Sequence, residues 1–149
     1  MKIKKVKESD LEKISQLEKR IFQNDAFSSD IMKKLIENNY LFLKLTKGFL
    51  FNKKLIGFII VVKDRKDRVN IINFLIDRIF QNQGYGSYLL RKTIQDIRQD
   101  PNIQSIVLNV HIKNKHAIRV YEKQGFHIQK KIENYYENGK SAFLMKLKL

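Results

Sequence analysis

Apolar side chains recur at helical spacing early in the chain and then crowd together, and that change divides the sequence. Leu11, Ile14, Leu17 and Ile21 form one stripe behind Ser9-Asp10, which can cap a helix. Ile31, Met32, Leu35 and Ile36 form another, from Ser28/Ser29 to Glu37, and residues 2–7 ahead of both read as a short strand. Residues 40–76 are dense in Phe, Leu, Ile and Val. They are broken at Thr46-Lys47-Gly48, Asn52-Lys53-Lys54 and Asp64-Arg65-Lys66-Asp67, the punctuation of strands in a meander. From residue 84, Leu89, Leu90, Ile94 and Ile97 restore the helical period until Asp100-Pro101. A strand follows over Ile103–Ile112, with Ile106, Leu108, Val110 and Ile112 on one face and Val107, Asn109 and His111 on the other. A helix from about Lys115 to Lys123 stops at Gly125. Two last strands, near Phe126–Tyr135 and Ser141–Leu149, meet at Glu137-Asn138-Gly139, where Asn-Gly signals a hairpin. The order β-α-α-β-β-β-α-β-α-β-β requires a parallel pair at its central β-α-β unit and antiparallel pairs around it, hence a mixed α/β sheet.

Length and composition narrow the function. The 149 residues suit one domain over 1–149, and 43% apolar residues suffice for a core. The absence of Cys excludes disulfides, thiolate metal sites and thiol catalysis. His111, His116 and His127 lack the spacing of a metal motif, so no metal is expected. No apolar leader opens the chain and no apolar run approaches the roughly 20 residues of a membrane span, so a soluble cytoplasmic protein with no membrane partner is expected. Thirty Lys and Arg against 15 Asp and Glu leave a charge of +15. That excess calls for phosphorylated cofactors, nucleic acid, a ribosome or acidic proteins, without choosing among them.

Gln81-Asn82-Gln83-Gly84-Tyr85-Gly86-Ser87 lies between the strand ending near Ile76 and the helix that follows. Glycines there let backbone N–H groups approach an anion, and a helix N-terminus favours negative charge. The stretch is neither a Walker loop, lacking Gly-Lys-Ser/Thr, nor a full dinucleotide fingerprint, lacking the third Gly. By itself it reads equally as a tight turn. One helix and one strand downstream stands Leu108-x-Val110-x-x-x-Asn114-x-x-Ala117-x-x-x-Tyr121-Glu122-x-x-Gly125-Phe126. The two motifs at this separation resemble the GNAT superfamily of acetyl-CoA-dependent N-acetyltransferases. Asn73-Phe74-Leu75-Ile76, Asn134-Tyr135-Tyr136, Ala142-x-x-Met145 and Glu18-x-x-Ile21-Phe22 with Ala26-Phe27-Ser28 resemble the ribosomal-protein N-terminal (alanine) acetyltransferase subgroup.

The resemblance implies a GNAT-like α/β fold: a mixed, mostly antiparallel sheet of about six to seven strands with a central splayed parallel pair, flanked by four helices. It implies acetyl-CoA as cofactor. Amides of the 81–86 loop and Ser87 would hold the pyrophosphate, and pantetheine would lie beside Phe74, Leu75 and Ile76. A backbone N–H near Ile76 would be an oxyanion-type donor. Asn114 matches the family's cofactor-contacting Asn, although an Asn there also caps a helix. Tyr121 matches the tyrosine that protonates the departing thiolate, although a tyrosine on that helix face can be a core residue. Phe22, Phe27, Tyr135 and Tyr136 would wall the acceptor between the 22–30 loop and the 135–141 hairpin.

The chain departs from the subgroup at Asn109, where a Glu usually serves as general base, and at Lys140-Ser141, where an acidic pair is usual. Asn cannot take a proton, and His111 shares its strand face, so His111 is the substitute candidate. A free α-amine is neutral at roughly the ten-per-cent level at pH 7, and a lysine amine at about one in a few thousand. A weak base therefore favours protein or peptide N-termini. Lysine or polyamine acceptors, a non-catalytic acetyl-CoA-binding module, and a nucleic-acid- or ribosome-binding protein remain as alternatives. The +15 charge repels polyamines at long range, while Glu18, Asp25 and Asp30 offer a local acidic groove. Association with a ribosome or ribosomal protein fits the charge, and the protein is expected as a monomer or weak homodimer.

Overall fold

The computed structural model describes residues 1–149. The elements run β1 (Lys2–Lys5), α1 (Leu11–Phe22), α2 (Ser29–Glu37), β2 (Leu41–Lys47), β3 (Lys54–Arg65), β4 (Arg68–Ile76), α3 (Tyr85–Arg98), β5 (Ser105–His111), α4 (Lys115–Lys123), β6 (His127–Ile132) and β7 (Ala142–Lys148). All seven strands form one sheet in the order β1-β2-β3-β4-β5-β7-β6. Only β4 and β5 are parallel; every other neighbour pair is antiparallel. This is the α/β architecture expected from the sequence, with seven strands and four helices.

Each helix lays its apolar stripe on one sheet face. Leu89, Leu90, Ile94 and Ile97 of α3 and Ile118 and Tyr121 of α4 join Ile59, Val61, Val69, Ile71, Ile106 and Leu108 in the larger core. Ile14 and Leu17 of α1 and Met32 of α2 meet Phe42, Phe58, Ile60 and Leu75 on the other face. Ser28 caps α2 by accepting from the Ile31 N–H at 3.2 Å, as its position suggests.

One turn differs from expectation. Asn138-Gly139 does not close a two-residue hairpin: β6 ends at Ile132 and β7 begins at Ala142. A two-residue type I′ turn needs positive φ at both central residues, and here Asn134 (51°) and Gly139 (80°) take it separately. The connection folds on itself instead, with the Gly139 N–H on Tyr136 O at 2.9 Å and the Tyr136 N–H on Lys140 O at 3.0 Å. Tyr135 thus stands in a loop rather than on a strand.

Candidate active site

The site begins where the parallel pair comes apart. β4 and β5 are paired from Arg68–Ser105 to Ile71–Leu108 and no further, although the strands continue to Ile76 and His111. The break coincides with a bulge. Ile60 and Val61 of β3 face Asn73 and Ile71, leaving Ile72 unmatched. An extra residue in a period-2 strand reverses which side chains face which side and bends the strand. Val69 and Ile71 accordingly lie in the larger core, and beyond the bulge the even residues Phe74 and Ile76 pack there, while Leu75 turns to the smaller one.

Main-chain groups follow the same alternation. The Asp77 N–H donates to Ile56 O at 2.7 Å, towards β3, so the Ile76 and Phe74 N–H groups point into the gap. Leu75, named with them from sequence, faces away. Gly57, which sequence reasoning passed over, lies opposite Ile76: a Cβ there would stand 2.3 Å from Leu75 O. Only Gly lets β3 press this closely against the end of β4.

The 81–87 loop is tied to that strand end. Gln81 Nε2 donates to Ile76 O at 2.9 Å, and Gln83 Nε2 to Ile79 O at 3.2 Å. Asn82 (φ 61°) and Gly84 (φ 84°) turn the chain so that Gly84 caps α3. Gly84 O accepts the Tyr88 N–H at 3.0 Å, which leaves the first-turn N–H groups of Tyr85, Gly86 and Ser87 without helical acceptors. No atom lies within 4 Å of a Cβ built on Gly84, and one on Gly86 would touch Ile76 and Phe74 at 3.5 and 3.6 Å. Free N–H groups, a helix N-terminus and open space fit a phosphate-bearing chain. Asn114 caps α4, its Oδ1 accepting from the Ala117 N–H at 3.2 Å.

Tyr121 reaches the gap from α4. It packs on Phe74 (ring centroids 6.2 Å) and Phe126 (5.8 Å) and is 9% exposed. Burial first, then the nearby Tyr136, push its phenol well above the ordinary value, so it stays protonated.

Asn109 and His111 share a face of β5 under the tyrosine loop. Asn109 Nδ2 donates to the Tyr135 hydroxyl at 3.2 Å, and the His111 ring stacks on Tyr136 at 5.4 Å. The Lys113 N–H donates to His111 Nδ1 at 3.1 Å, which assigns the proton of the neutral ring to Nε2. Asn109 Oδ1 and His111 Nε2 are both buried without a partner. Both residues point to the same face of β5, where Tyr135 and Tyr136 cover them.

The α1–α2 and β6–β7 connections flank a cleft of about 480 Å³ lined by Asn24, Asp25, Tyr136, Glu137 and Asn138. Phe22 is exposed at the end of α1, whereas Phe27 packs against the smaller core. The acidic groove suggested by Glu18, Asp25 and Asp30 takes another form: Asp25 lines the cleft, Asp30 does not, and Glu137 joins from the opposite loop. Glu18 is 1% exposed, with Oε1 and Oε2 accepting from Asn73 Nδ2 at 3.0 and 2.6 Å. Burial raises its pKa against the opposing hydrogen bonds from Asn73 and the Phe27 backbone. It clamps α1 and the end of the α1–α2 connection to β4, with the Asn73 pairing across 55 residues that no local pattern reveals.

The acetyltransferase (GNAT) family pattern matches residues 10–126. The chain belongs to the GNAT family. An N-alpha-acetyltransferase of Saccharolobus solfataricus is 30% identical over 76 residues, covering 51% of this chain and 46% of that protein. A spermine/spermidine N(1)-acetyltransferase of Bacillus subtilis is 33% identical over 63 residues, 42% of this chain and 41% of that one. The chain thus matches less than half the length of these relatives. The crystal structure of the ribosomal-protein-S18-alanine N-acetyltransferase from Escherichia coli superposes with a TM-score of 0.85 at 27% identity, over 99% of this chain and 92% of that one.

Proposed function

We propose that residues 1–149 form one catalytic domain that transfers acetyl from acetyl-CoA to the α-amine of a protein or peptide. The observation that carries the reading is the unpaired β4–β5 gap: the Ile76 N–H turns into it, the buried Tyr121 packs on Phe74 beside it, and the N-terminus of α3 lies open. Acetyl-CoA, when bound, supplies the activated acyl group. The N–H groups of Tyr85, Gly86 and Ser87 would hold its phosphates, and the Ile76 N–H would donate to the acyl oxygen. Tyr121, protonated over the whole working range, would be the proton donor to the thiolate.

His111 Nδ1 already accepts the Lys113 N–H, so its role would be to orient the incoming amine or a water through Nε2–H rather than to take a proton. Asn109, on the same strand face, would help to position that group. With no carboxylate at that position, the acceptor arrives neutral, which favours α-amines over lysines by a few hundredfold at pH 7. Asp25 and Glu137 in the acceptor cleft favour a peptide with basic residues behind its N-terminus.

A spermidine-type acceptor is the second reading, carried by the same acidic lining. Thiol release with three acceptors separates them: a basic peptide free at its α-amine, the same peptide blocked there with a free lysine, and spermidine. The first should react fastest near pH 7. Asn109→Glu should narrow its lead over the lysine acceptor by supplying a base. A faster reaction of the blocked peptide or of spermidine at neutral pH overturns the N-terminal assignment.

A further inference from the structure

The connection between β2 and β3 does something the acetyl-transfer site does not need. Phe49, Leu50 and Phe51 are 80%, 65% and 101% exposed, three consecutive large apolar side chains held out in water. They are held there by a built turn. Gly48 (φ 122°) lets Asn52 O close to where a Cβ would stand, Leu50 takes a left-handed φ of 52°, and the Asn52 N–H bonds Phe49 O at 3.1 Å. A positive φ at Leu is costly and here brings no packing in return.

Beside the tip lies a crowd of like charges. Lys2 and Lys4 on edge strand β1 pair with Thr46 and Lys44 of β2. The ammonium of Lys4 is held below its ordinary pKa chiefly by Lys53, then by Lys2, with Lys7 and Lys44 adding to it. Asp10 pairs with Lys44 at 2.7 Å and offsets one of these charges. Residues 1–19 and 41–57 contain ten Lys and no Arg.

We propose that this tip and lysine face dock on an anionic phospholipid surface, the Phe49–Phe51 tip entering the headgroup region while the lysines meet lipid phosphates. An apolar wedge with a polybasic flank supplies the two signals that reversible membrane attachment requires. Lys stems suit it, because they lie along apolar surface and keep the ammonium at the phosphates. RNA fits less well: Leu50 offers no stacking face, and the planar Arg fork for phosphate is missing. A second copy of the chain would bring the same positive face and be repelled. The absence of a helix able to span a membrane is a separate matter, and the expectation of no membrane partner is narrowed to no span.

The chain has no Trp, so Phe51→Trp places a single reporter at the tip. Its fluorescence should shift to the blue with phosphatidylcholine vesicles containing phosphatidylglycerol and stay unchanged with phosphatidylcholine alone. In co-sedimentation, Phe49→Ser/Leu50→Asn/Phe51→Ser, with Asn suited to the left-handed position, should weaken binding roughly tenfold or more with acetyl transfer intact. Lys4→Glu/Lys53→Glu should do the same. No binding by the wild type overturns the proposal, as does equal binding by the tip variant. A reporter shift caused by RNA or by rising protein concentration, without vesicles, assigns the face to nucleic acid or self-association instead.

Discussion

The two sides of the reaction gap are built from different materials. In the proposed reading the cofactor side works through main chain: the Ile76 N–H turned out by strand alternation, and the N–H groups of Tyr85, Gly86 and Ser87 freed by the Gly84 turn. The proposed acceptor side uses side chains drawn from distant loops: Asp25, Tyr136 and Glu137, with Asn109 and His111 beneath. Main-chain groups would recognise what every acetyl-CoA presents, and they constrain sequence only where geometry demands Gly. Side chains would carry selectivity. The departure at Asn109 falls on that wall, whereas Lys140 and Ser141 lie outside the cleft lining and Ser141 is buried against Glu133.

The contrast breaks most sharply at Gly84. Gly84→Asp forces a left-handed φ on a residue with a Cβ and sets a carboxylate where phosphate is expected. Calorimetry on the folded variant should show acetyl-CoA affinity weakened by roughly 100-fold or more. Asp25→Asn/Glu137→Gln, on the other wall, should leave that affinity unchanged. Equal losses from both would mean the walls do not divide the work.

Tyr121 packs on Phe74 beside the gap. Tyr121→Phe should lower kcat by roughly 100-fold with nearly unchanged acetyl-CoA affinity, the mark of lost proton donation. Because the phenol is pushed up, the wild-type rate should show no falling limb at the ordinary tyrosine value of 10.0. A variant within twofold of wild type would reduce Tyr121 to packing against Phe74.

The smallest effect concerns the clamp between the walls. Glu18→Ala strands the Asn73 amide and the Phe27 N–H and should cost about 2–3 kcal/mol in denaturant unfolding. Glu18→Gln keeps the shape and removes the titration. The folded pKa of Glu18 is raised, so its contribution is fullest below the ordinary glutamate value of 4.5 and declines as pH rises through the folded one. The stability of wild type relative to Glu18→Gln should therefore fall as pH climbs out of that range. A rise would mean the hydrogen bonds outweigh burial.

Much of the fold was open to reading. Leu89, Leu90, Ile94 and Ile97 announce α3 because a helix buries every third or fourth position, and Asp100-Pro101 ends it because Pro cannot continue it. The Gly-rich loop was legible for the same local reason. The bulge at Ile72 left no mark, since Ile71-Ile72 is apolar in any register. Glu18 read as a groove acid because its partner Asn73 lies 55 residues away.

By itself the sequence determined the element order, the stripes that face the sheet, the α3 cap and the family motifs, since each depends on neighbours within a turn or a strand. Tertiary structure alone decided where β4 leaves β5, which nitrogen of His111 accepts the Lys113 N–H, that Glu137 rather than Glu18 joins Asp25, and that Phe49–Phe51 remain in water. Those outcomes turn on pairing register and on groups brought together from distant parts of the chain, and neither is written in local spacing.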